Sequence, residues 1–255
     1  TELVRMANIH KNFGSVQALN GVDFHVNKHE IVGLLGDNGA GKSTLIKVLS
    51  GAHLPSSGDI YFNGELADIK NTWDAIQLGI ETIYQDSALV PELSITRNLF
   101  LGREPTNGPN FMQRMDKDFM NQQAAELLNE LGITKHIDPD TPINRLSGGE
   151  RQSIAIARAM FFHSEVVVLD EPTNNLGVEE TSRVLNFIKS ARDSGMGCVF
   201  ITHNIYHVFQ VVDRIVVLRH GKKVLEADPK ETSIEEIEKV ITGMWDTLTD
   251  HASVK

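Results

Sequence analysis

One nine-residue segment has the residue types and the spacing that phosphate binding requires. Glycines let backbone N–H groups turn toward a phosphate, and a helix that follows them presents its positive N-terminus to it. The segment fits the pattern G-x-x-x-x-G-K-[ST] and reads Gly36-Asp37-Asn38-Gly39-Ala40-Gly41-Lys42-Ser43-Thr44. We expect Lys42 to reach the β- and γ-phosphates of a nucleotide and the Ser43 hydroxyl to ligate Mg²⁺. The alternative is a turn that is merely rich in glycine. The strand predicted before this segment and the helix predicted after it favour the phosphate loop, because only the phosphate loop requires them.

Two adjacent carboxylates, Asp170 and Glu171, follow the apolar run Val166-Val167-Val168-Leu169. At the exit of a buried strand, Asp170 is a candidate ligand in a Mg²⁺ environment, and Glu171 is a candidate to orient and deprotonate an attacking water. Acidic residues also follow strands as ordinary solvated loops, so this signal is weak when taken alone. Together with the phosphate loop it indicates nucleotide hydrolysis.

The segment Ser147-Gly148-Gly149-Glu150 begins a helical run and is a second candidate anion-binding helix N-terminus. The alternative is that Ser147 caps the helix and nothing binds there.

The elements that must position these residues alternate between short apolar runs and helical patterns. Buried strands are predicted at Ile31–Leu35, Val166–Leu169, Cys198–Ile201 and Ile215–Leu218, and helices at Ser43–Ser50 and Glu179–Arg192. The alternation predicts an α/β core with a mainly parallel sheet. Nearer the N-terminus we expect an antiparallel β portion, in which Asn63-Gly64 forms a type I′ hairpin turn after Ile60–Phe62.

We expect one domain over residues 1–255, with its nucleotide-binding core at about 1–90 and 147–225. The stretch 91–146 lacks a continuous β-branched run and has helical spacing at Asp116–Leu131, so it is predicted to be a mostly helical subdomain, with an exposed loop at Gly102–Pro109. The alternative is a series of ordinary crossover helices. Residues 226–255 are predicted to form an amphipathic helix, Ser233–Trp245, and a tail.

The composition excludes several classes of protein. The 34 acidic residues exceed the 24 basic ones, and the formal net charge of −10 argues against nucleic acid as a partner. No apolar run approaches the roughly 20 residues that span a bilayer, and the first residues do not have the pattern of a secretory signal. A single cysteine, Cys198, excludes an internal disulfide framework and is expected to be an inert buried thiol.

Three motifs in this order, the phosphate loop, Leu-Ser-Gly-Gly-Glu-Arg-Gln at 146–152 and Leu-Asp-Glu-Pro-Thr at 169–173, resemble those of the nucleotide-binding subunit of ATP-binding cassette (ABC) transporters. The resemblance extends from about Val4 to Gly221 and implies the P-loop NTPase fold, with ATP and Mg²⁺ as ligands. It implies that Phe13 stacks on adenine, that Gln85 contacts Mg²⁺ and that His203 contacts the γ-phosphate. It also implies that Ser147–Glu150 close over ATP held by a second cassette.

One segment departs from the family pattern: after Pro172-Thr173 the chain reads Asn174-Asn175-Leu176-Gly177, with two asparagines. In the family this loop crosses the interface between two cassettes, so the departure bears on closure and on hydrolysis rate rather than on nucleotide binding.

Stretches at 36–47, 79–86 and 98–104 are similar to ATPases of simple-sugar (ribose, xylose or fructose) importers. Many such relatives carry two cassettes in tandem, whereas this chain has one with every nucleotide motif intact, so we expect a homodimer. The resemblance implies that it works with transmembrane permease subunits and, indirectly, with a periplasmic or extracellular sugar-binding protein. It implies a peripheral position on the cytoplasmic face of the cell membrane. Two alternatives remain: a non-transport cassette that acts on nucleic acid or ribosomes, and a small-molecule kinase, which would not need Ser147–Glu150.

Overall fold

The computed structural model describes residues 1–84, 89–108, 114–130, 137–162, 164–174 and 176–244. Within these ranges the strands are β1 (Glu2–Phe13), β2 (Val16–Asn27), β3 (Glu30–Leu35), β4 (Ser57–Phe62), β5 (Glu65–Leu66), β6 (Ile80–Ile83), β7 (Thr106–Asn107), β8 (Arg114–Met115), β9 (Val166–Asp170), β10 (Gly197–Ile201), β11 (Arg214–Arg219) and β12 (Lys222–Ala227). The helices are α1 (Lys42–Leu49), α2 (Thr72–Gln77), α3 (Ile95–Leu99), α4 (Lys117–Glu130), α5 (Gly148–Phe161), α6 (Val178–Asp193), α7 (Ile205–Val211) and α8 (Ile234–Thr242), with a 3₁₀ turn at Ile143–Arg145.

The chain divides into two compact units. The first unit comprises Thr1–Gln85, Ser164–Asn174 and Leu185–Lys255, and the second comprises Asp86–His163 and Asn175–Val184. The helical subdomain was predicted at 91–146, and the second unit differs from that range by including α5 and the first part of α6.

A six-stranded sheet forms the centre of the first unit, in the order β12-β11-β3-β10-β9-β6. Five of these strands, from β11 to β6 in this order, run parallel to one another, and β12 pairs antiparallel with β11. Every residue of β3 and β10 is buried. Both strands are covered on both faces, which explains why their sequences are nearly continuous apolar runs. The predicted α/β core with a mainly parallel sheet is confirmed.

The predicted antiparallel portion is also present, as a four-stranded sheet in the order β2-β1-β4-β5. Alternate residues of β2, namely Val22, Phe24 and Val26, are buried, so one face of this strand packs on the core. Asn63 and Gly64 join β4 to β5 with φ values of 50° and 84°, and a positive φ at both central residues is the requirement of a type I′ turn.

In the second unit, α3, α4 and α5 contact one another. Helix α4 begins at Lys117 and ends at Glu130, close to the predicted range of 116–131. The buried Asn98 side chain accepts a hydrogen bond from the Val90 N–H and donates to backbone carbonyls, including that of Leu93. The expected loop at Gly102–Pro109 differs in one respect, since Thr106–Asn107 pairs with Arg114–Met115 as a two-residue hairpin ladder.

Helix α8 lies at Ile234–Thr242 and begins with a capping box formed by Ser233 and Glu236. Gly243, at φ 77°, ends the helix before the predicted limit at Trp245, which lies outside the described residues. None of the described helices combines the length and the apolar character needed to cross a membrane.

Candidate functional site

Parallel pairing of β3, β10 and β9 brings three predicted segments to one edge of the sheet. Ile201, the last residue of β10, pairs with Leu34 of β3 on one side and with Asp170 of β9 on the other. The phosphate loop, His203 and Glu171 follow the carboxyl ends of these strands, which is where open α/β sheets bind ligands. The fourth strand, β6, precedes Gln85, which lies outside the described residues.

The phosphate loop connects β3 to α1 through glycines with positive φ: 149° at Gly36, 77° at Gly39 and 107° at Gly41. A Cβ at Gly36 would collide with the Leu218 carbonyl oxygen, so only glycine suits this position. Gly41 is the N-cap of α1, and the N–H groups of the first helical turn have no partner within the helix. The loop therefore offers backbone donors and a helix N-terminus to an anion.

The Lys42 ammonium group lies inside this loop. Its Nζ donates hydrogen bonds to the Gly36 carbonyl at 2.7 Å and to the Asp37 carbonyl at 3.0 Å. Burial lowers the pKa of Lys42, and the negative charges of Glu171, Asp170 and Asp37 oppose that shift. Lys42 therefore lies close enough to the end of β9 for its charge to interact with both carboxylates there.

Asp170 and Glu171 differ in their surroundings although they are adjacent. Burial and the neighbouring Glu171 charge raise the pKa of Asp170, whereas the Lys42 charge lowers it. Glu171 has a φ of 52°, in the left-handed region, and its backbone N–H donates to the Ile201 carbonyl at 2.9 Å. A non-glycine residue in this region costs about 1–2 kcal/mol, and such strain is concentrated at functional sites.

Glu171 and His203 form a direct pair, with 2.9 Å between Glu171 Oε2 and His203 Nδ1. The Glu171 side chain is 15% exposed and the His203 side chain is 74% exposed. When Glu171 is ionised it can only accept, so His203 Nδ1 carries the donated proton. This contact does not use Glu171 Oε1 or His203 Nε2, so both atoms can interact with a ligand.

In the second unit, Ser147 and Glu150 form a capping box at the start of α5. The Glu150 N–H donates to Ser147 Oγ at 3.2 Å, and the Ser147 N–H donates to Glu150 Oε2 at 2.8 Å. A Cβ at Gly149 would lie 2.6 Å from Glu180 Oε1, so glycine lets the Glu180 side chain lie against the helix start. Gly148 lies in the same first turn, so the predicted segment is a helix N-terminus of the expected kind.

Phe13, the predicted adenine-stacking residue, is the last residue of β1 and is 44% exposed. Its ring meets the edge of the His53 ring at 5.3 Å between centroids, and Lys11 Nζ lies 5.0 Å from the Phe13 ring centroid. His53 and Lys11 thus orient the exposed Phe13 ring at the surface of the first unit.

Sequence reasoning missed contacts among three residues that follow Glu171 and His203 in the chain, namely Thr173, Asn204 and His207. His207 Nδ1 lies 3.1 Å from Thr173 Oγ1, and His207 Nε2 lies 3.2 Å from Asn204 Nδ2. His203 precedes α7, whereas His207 lies within it. Because Thr173 and His207 are distant in the chain, no local pattern connects them.

Comparisons with known proteins decide the family. Residues 19–174 match the ABC transporter family. The chain belongs to the ABC transporter family. Over 95% of both chains, the cassette is 45% identical to the xylose/arabinose import ATP-binding protein XylG of Sulfolobus acidocaldarius. It is 42% identical to the fructose import ATP-binding protein FrcA of Rhizobium meliloti over 91% of each chain. It is 40% identical to the ribose import ATP-binding protein RbsA 1 of Streptomyces avermitilis, over 95% of the cassette but 45% of RbsA 1.

Solved structures agree with this assignment. A nucleotide-free ATP-binding cassette from an ABC transporter superposes with a TM-score of 0.80 at 26% identity, over 95% of the cassette and 96% of that chain. An ATP-binding cassette in its ADP conformation superposes with a TM-score of 0.79 at 26% identity, over 95% of both chains. The predicted P-loop NTPase fold is confirmed, and membership of the family makes the cassette an ATP-hydrolysing enzyme.

Proposed function

We propose that this cassette is the ATP-hydrolysing subunit of an importer for a simple sugar. The observation that carries the proposal is the Glu171–His203 pair, 2.9 Å apart, at the same sheet edge as the phosphate loop. Hydrolysis of a phosphoanhydride needs these parts together: donors that hold the phosphates and a base that orients water.

Binding of ATP is assigned to the phosphate loop and to Phe13. The β- and γ-phosphates are surrounded by loop residues Gly36 and Asn38 and by the backbone N–H groups from Gly39 through Ala40 to Thr44. Lys42 Nζ exchanges its carbonyl partners for phosphate oxygens. A charged donor to a charged acceptor is about twice as strong as a neutral pair. The exposed face of Phe13 stacks on adenine.

In hydrolysis, Glu171 holds the attacking water through Oε1 and receives its proton. The water oxygen bonds to the γ-phosphorus while the bond from that phosphorus to the bridging oxygen breaks. His203 donates from Nδ1 to Glu171 Oε2 and keeps the carboxylate oriented, and its exposed Nε2 faces the γ-phosphate. A His203 ring that carries a proton on both nitrogens donates to the carboxylate and to the phosphate at once. Pre-positioned donors of this kind stabilise charge in a loose phosphoryl transition state.

Magnesium fits the residues present. Mg²⁺ at nucleotide sites takes one or two carboxylates, and phosphate oxygens, waters and other oxygen ligands complete its coordination. Ser43 supplies a hydroxyl at the start of α1, and Asp170 supplies a carboxylate whose burial beside Glu171 favours a nearby cation. Gln85 is the third proposed ligand. When bound, the ion neutralises charge on the β- and γ-phosphates.

A second copy of the chain completes the site in this proposal. The capped helix start at Ser147, Gly148, Gly149 and Glu150 supplies an anion-binding N-terminus to ATP held by its partner cassette. A dimeric cassette with ADP and phosphate shares the fold, with a TM-score of 0.75 at 23% identity. We assign a homodimer, because one chain carries both the phosphate loop and the capped segment.

Import of a sugar is inferred from XylG, FrcA and RbsA 1, all of which are import proteins. Their names favour import over the alternative of a cassette that acts on nucleic acid or ribosomes. The proposal places the cassette on the cytoplasmic face of the cell membrane, against permease subunits that receive sugar from an extracellular or periplasmic binding protein.

The test of hydrolysis is Glu171→Gln, which removes the base and keeps the side-chain length. We expect ATP to bind with unchanged affinity, turnover to be lost, and a dimer to accumulate in Mg-ATP on size-exclusion chromatography. Glu65→Gln, at an exposed position in β5, is the matched control and keeps full activity. A variant at Glu171 that still turns over, or stays monomeric at saturating Mg-ATP, contradicts the proposal.

The test of the partner is co-purification from detergent-solubilised membranes. Recovery of the cassette with an integral membrane permease supports import. Recovery with ribosomes or nucleic acid, and without a permease, supports the alternative.

A further inference from the structure

The His207 side chain connects the two loops that carry Glu171 and His203. Its Nδ1 lies 3.1 Å from Thr173 Oγ1, two residues after Glu171. Its Nε2 lies 3.2 Å from Asn204 Nδ2, one residue after His203. The ring is half-buried, so these contacts are partly protected from water.

The hydrogen bonds determine which nitrogen of His207 carries the proton. Asn204 is the N-cap of α7, and its Oδ1 accepts from the His207 backbone N–H, which turns Nδ2 toward the ring. Since an amide Nδ2 only donates, His207 Nε2 must accept and Nδ1 must carry the hydrogen. The ring therefore donates from Nδ1 to Thr173 Oγ1. Burial lowers the pKa of His207, and the nearby His203 lowers it further, which agrees with a neutral ring.

Helix α7 holds one end of this connection firmly. A Cβ at Gly33 of β3 would lie 2.8 Å from Val208 Cγ1, so the helix packs directly on the strand backbone at the residue next to His207. Val208 and Val211 are buried in this contact region. The ring is thus presented from a fixed helix rather than from a loop.

The other end of the connection is a strained turn. Glu171 has a φ of 52°, and its turn is closed by the Asn174 N–H donating to the Glu171 carbonyl at 3.1 Å. Strained backbone persists only when surrounding contacts over-determine it. The bond from His207 to Thr173 is one such contact, and it acts inside this turn.

We propose that His207 is a positioning residue, which as a neutral Nδ1–H imidazole ties the Glu171 turn to the His203 loop and so maintains the geometry of that pair for hydrolysis. The inference rests on the proposed function, in which the pair orients the attacking water. Misplacing a catalytic group by about 1 Å can cost on the order of 100-fold in rate. The hydrogen bond from His207 is one of several restraints on Glu171, so its loss is expected to lower the rate by less than that factor.

The test compares two nearly isosteric replacements in the full chain. His207→Asn places an amide donor near the position of Nδ1, whereas His207→Leu fills similar space without a donor. We expect His207→Leu to lower kcat for ATP about tenfold and to leave KM within about twofold, since the change misplaces the Glu171–His203 pair and leaves the nucleotide-binding residues unchanged. His207→Asn is expected to recover kcat to within about threefold of the wild type.

Changes at Thr173 provide the matched pair on the other side. Thr173→Ser retains the hydroxyl and is expected to keep kcat, whereas Thr173→Val removes it and is expected to match His207→Leu. The double variant Thr173→Val/His207→Leu is expected to be no slower than either single variant, because both changes break one bond.

A spectroscopic measurement on the unmodified protein does not depend on how the variants fold. Nitrogen-15 NMR of the His207 ring is expected to show a protonated Nδ1 and an unprotonated Nε2. The opposite tautomer overturns the proposal, as does wild-type kcat in His207→Leu when Glu171→Gln is inactive. Turnover by Glu171→Gln instead contradicts the proposed function itself.

Discussion

Glu171 holds its backbone at φ 52°, and replacing it with glycine or alanine measures the strain stored there. Both variants lose the carboxylate and the contact with His203, so these losses cancel when the two are compared. A side chain with a Cβ costs about 1–2 kcal/mol in the left-handed region, and glycine avoids this cost. Glycine in turn loses about 0.5–1 kcal/mol through the greater freedom of the unfolded chain.

The two effects leave Glu171→Gly more stable than Glu171→Ala by about 0.5–1 kcal/mol. For a chain of this size that difference corresponds to a Tm higher by about 1–4 °C, measured by differential scanning fluorimetry. The control is the same pair of substitutions, to glycine and to alanine, at Glu238, an exposed position inside α8. There the alanine variant is expected to be the more stable of the two, because alanine is favoured in a helix. If Glu171→Gly melts at or below Glu171→Ala, the turn is not strained and the argument for restraint by His207 loses its basis.

Two further predictions concern Lys42 in the phosphate loop and the buried Cys198 in β10. Lys42→Ala is expected to raise the Kd for ATP about tenfold to hundredfold, because a charge-assisted hydrogen bond to phosphate contributes about 1.5–3 kcal/mol; an unchanged Kd in a fluorescent-nucleotide titration contradicts the role of Lys42. Burial raises the pKa of the Cys198 thiol to about 12, so a maleimide is expected to label Cys198 only after unfolding in urea; rapid labelling of the native protein at pH 8 contradicts the burial of β10.

Much of the fold is predictable because its local signals agree. Continuous apolar runs predict the buried strands β3, β9, β10 and β11, and Asn63-Gly64 predicts its own turn. The end of α8 could also have been predicted more closely, since Gly243 is the usual residue just beyond a helix. The short β7–β8 pairing was not predictable, because two-residue strands carry no periodicity.

The candidate site is predictable only in part. Its motifs carry their chemistry in short segments, so the phosphate loop, Asp170 and Glu171 can be found locally. The order of the strands cannot be read in the same way, because Ile201 and Asp170 become neighbours only through pairing across 31 residues (201 − 170). The bond between Thr173 and His207, and the approach of Glu180 to Gly149, depend on the same long-range folding.

We propose that ATP is hydrolysed at a site shared by two copies of this chain. The most direct measurement is the ATPase activity per chain, followed from low to high protein concentration at saturating Mg-ATP. A shared site predicts activity per chain that rises with concentration and then saturates, with Glu171→Gln inactive throughout. Activity per chain that is constant over the whole range contradicts the claim, because a single chain would then suffice.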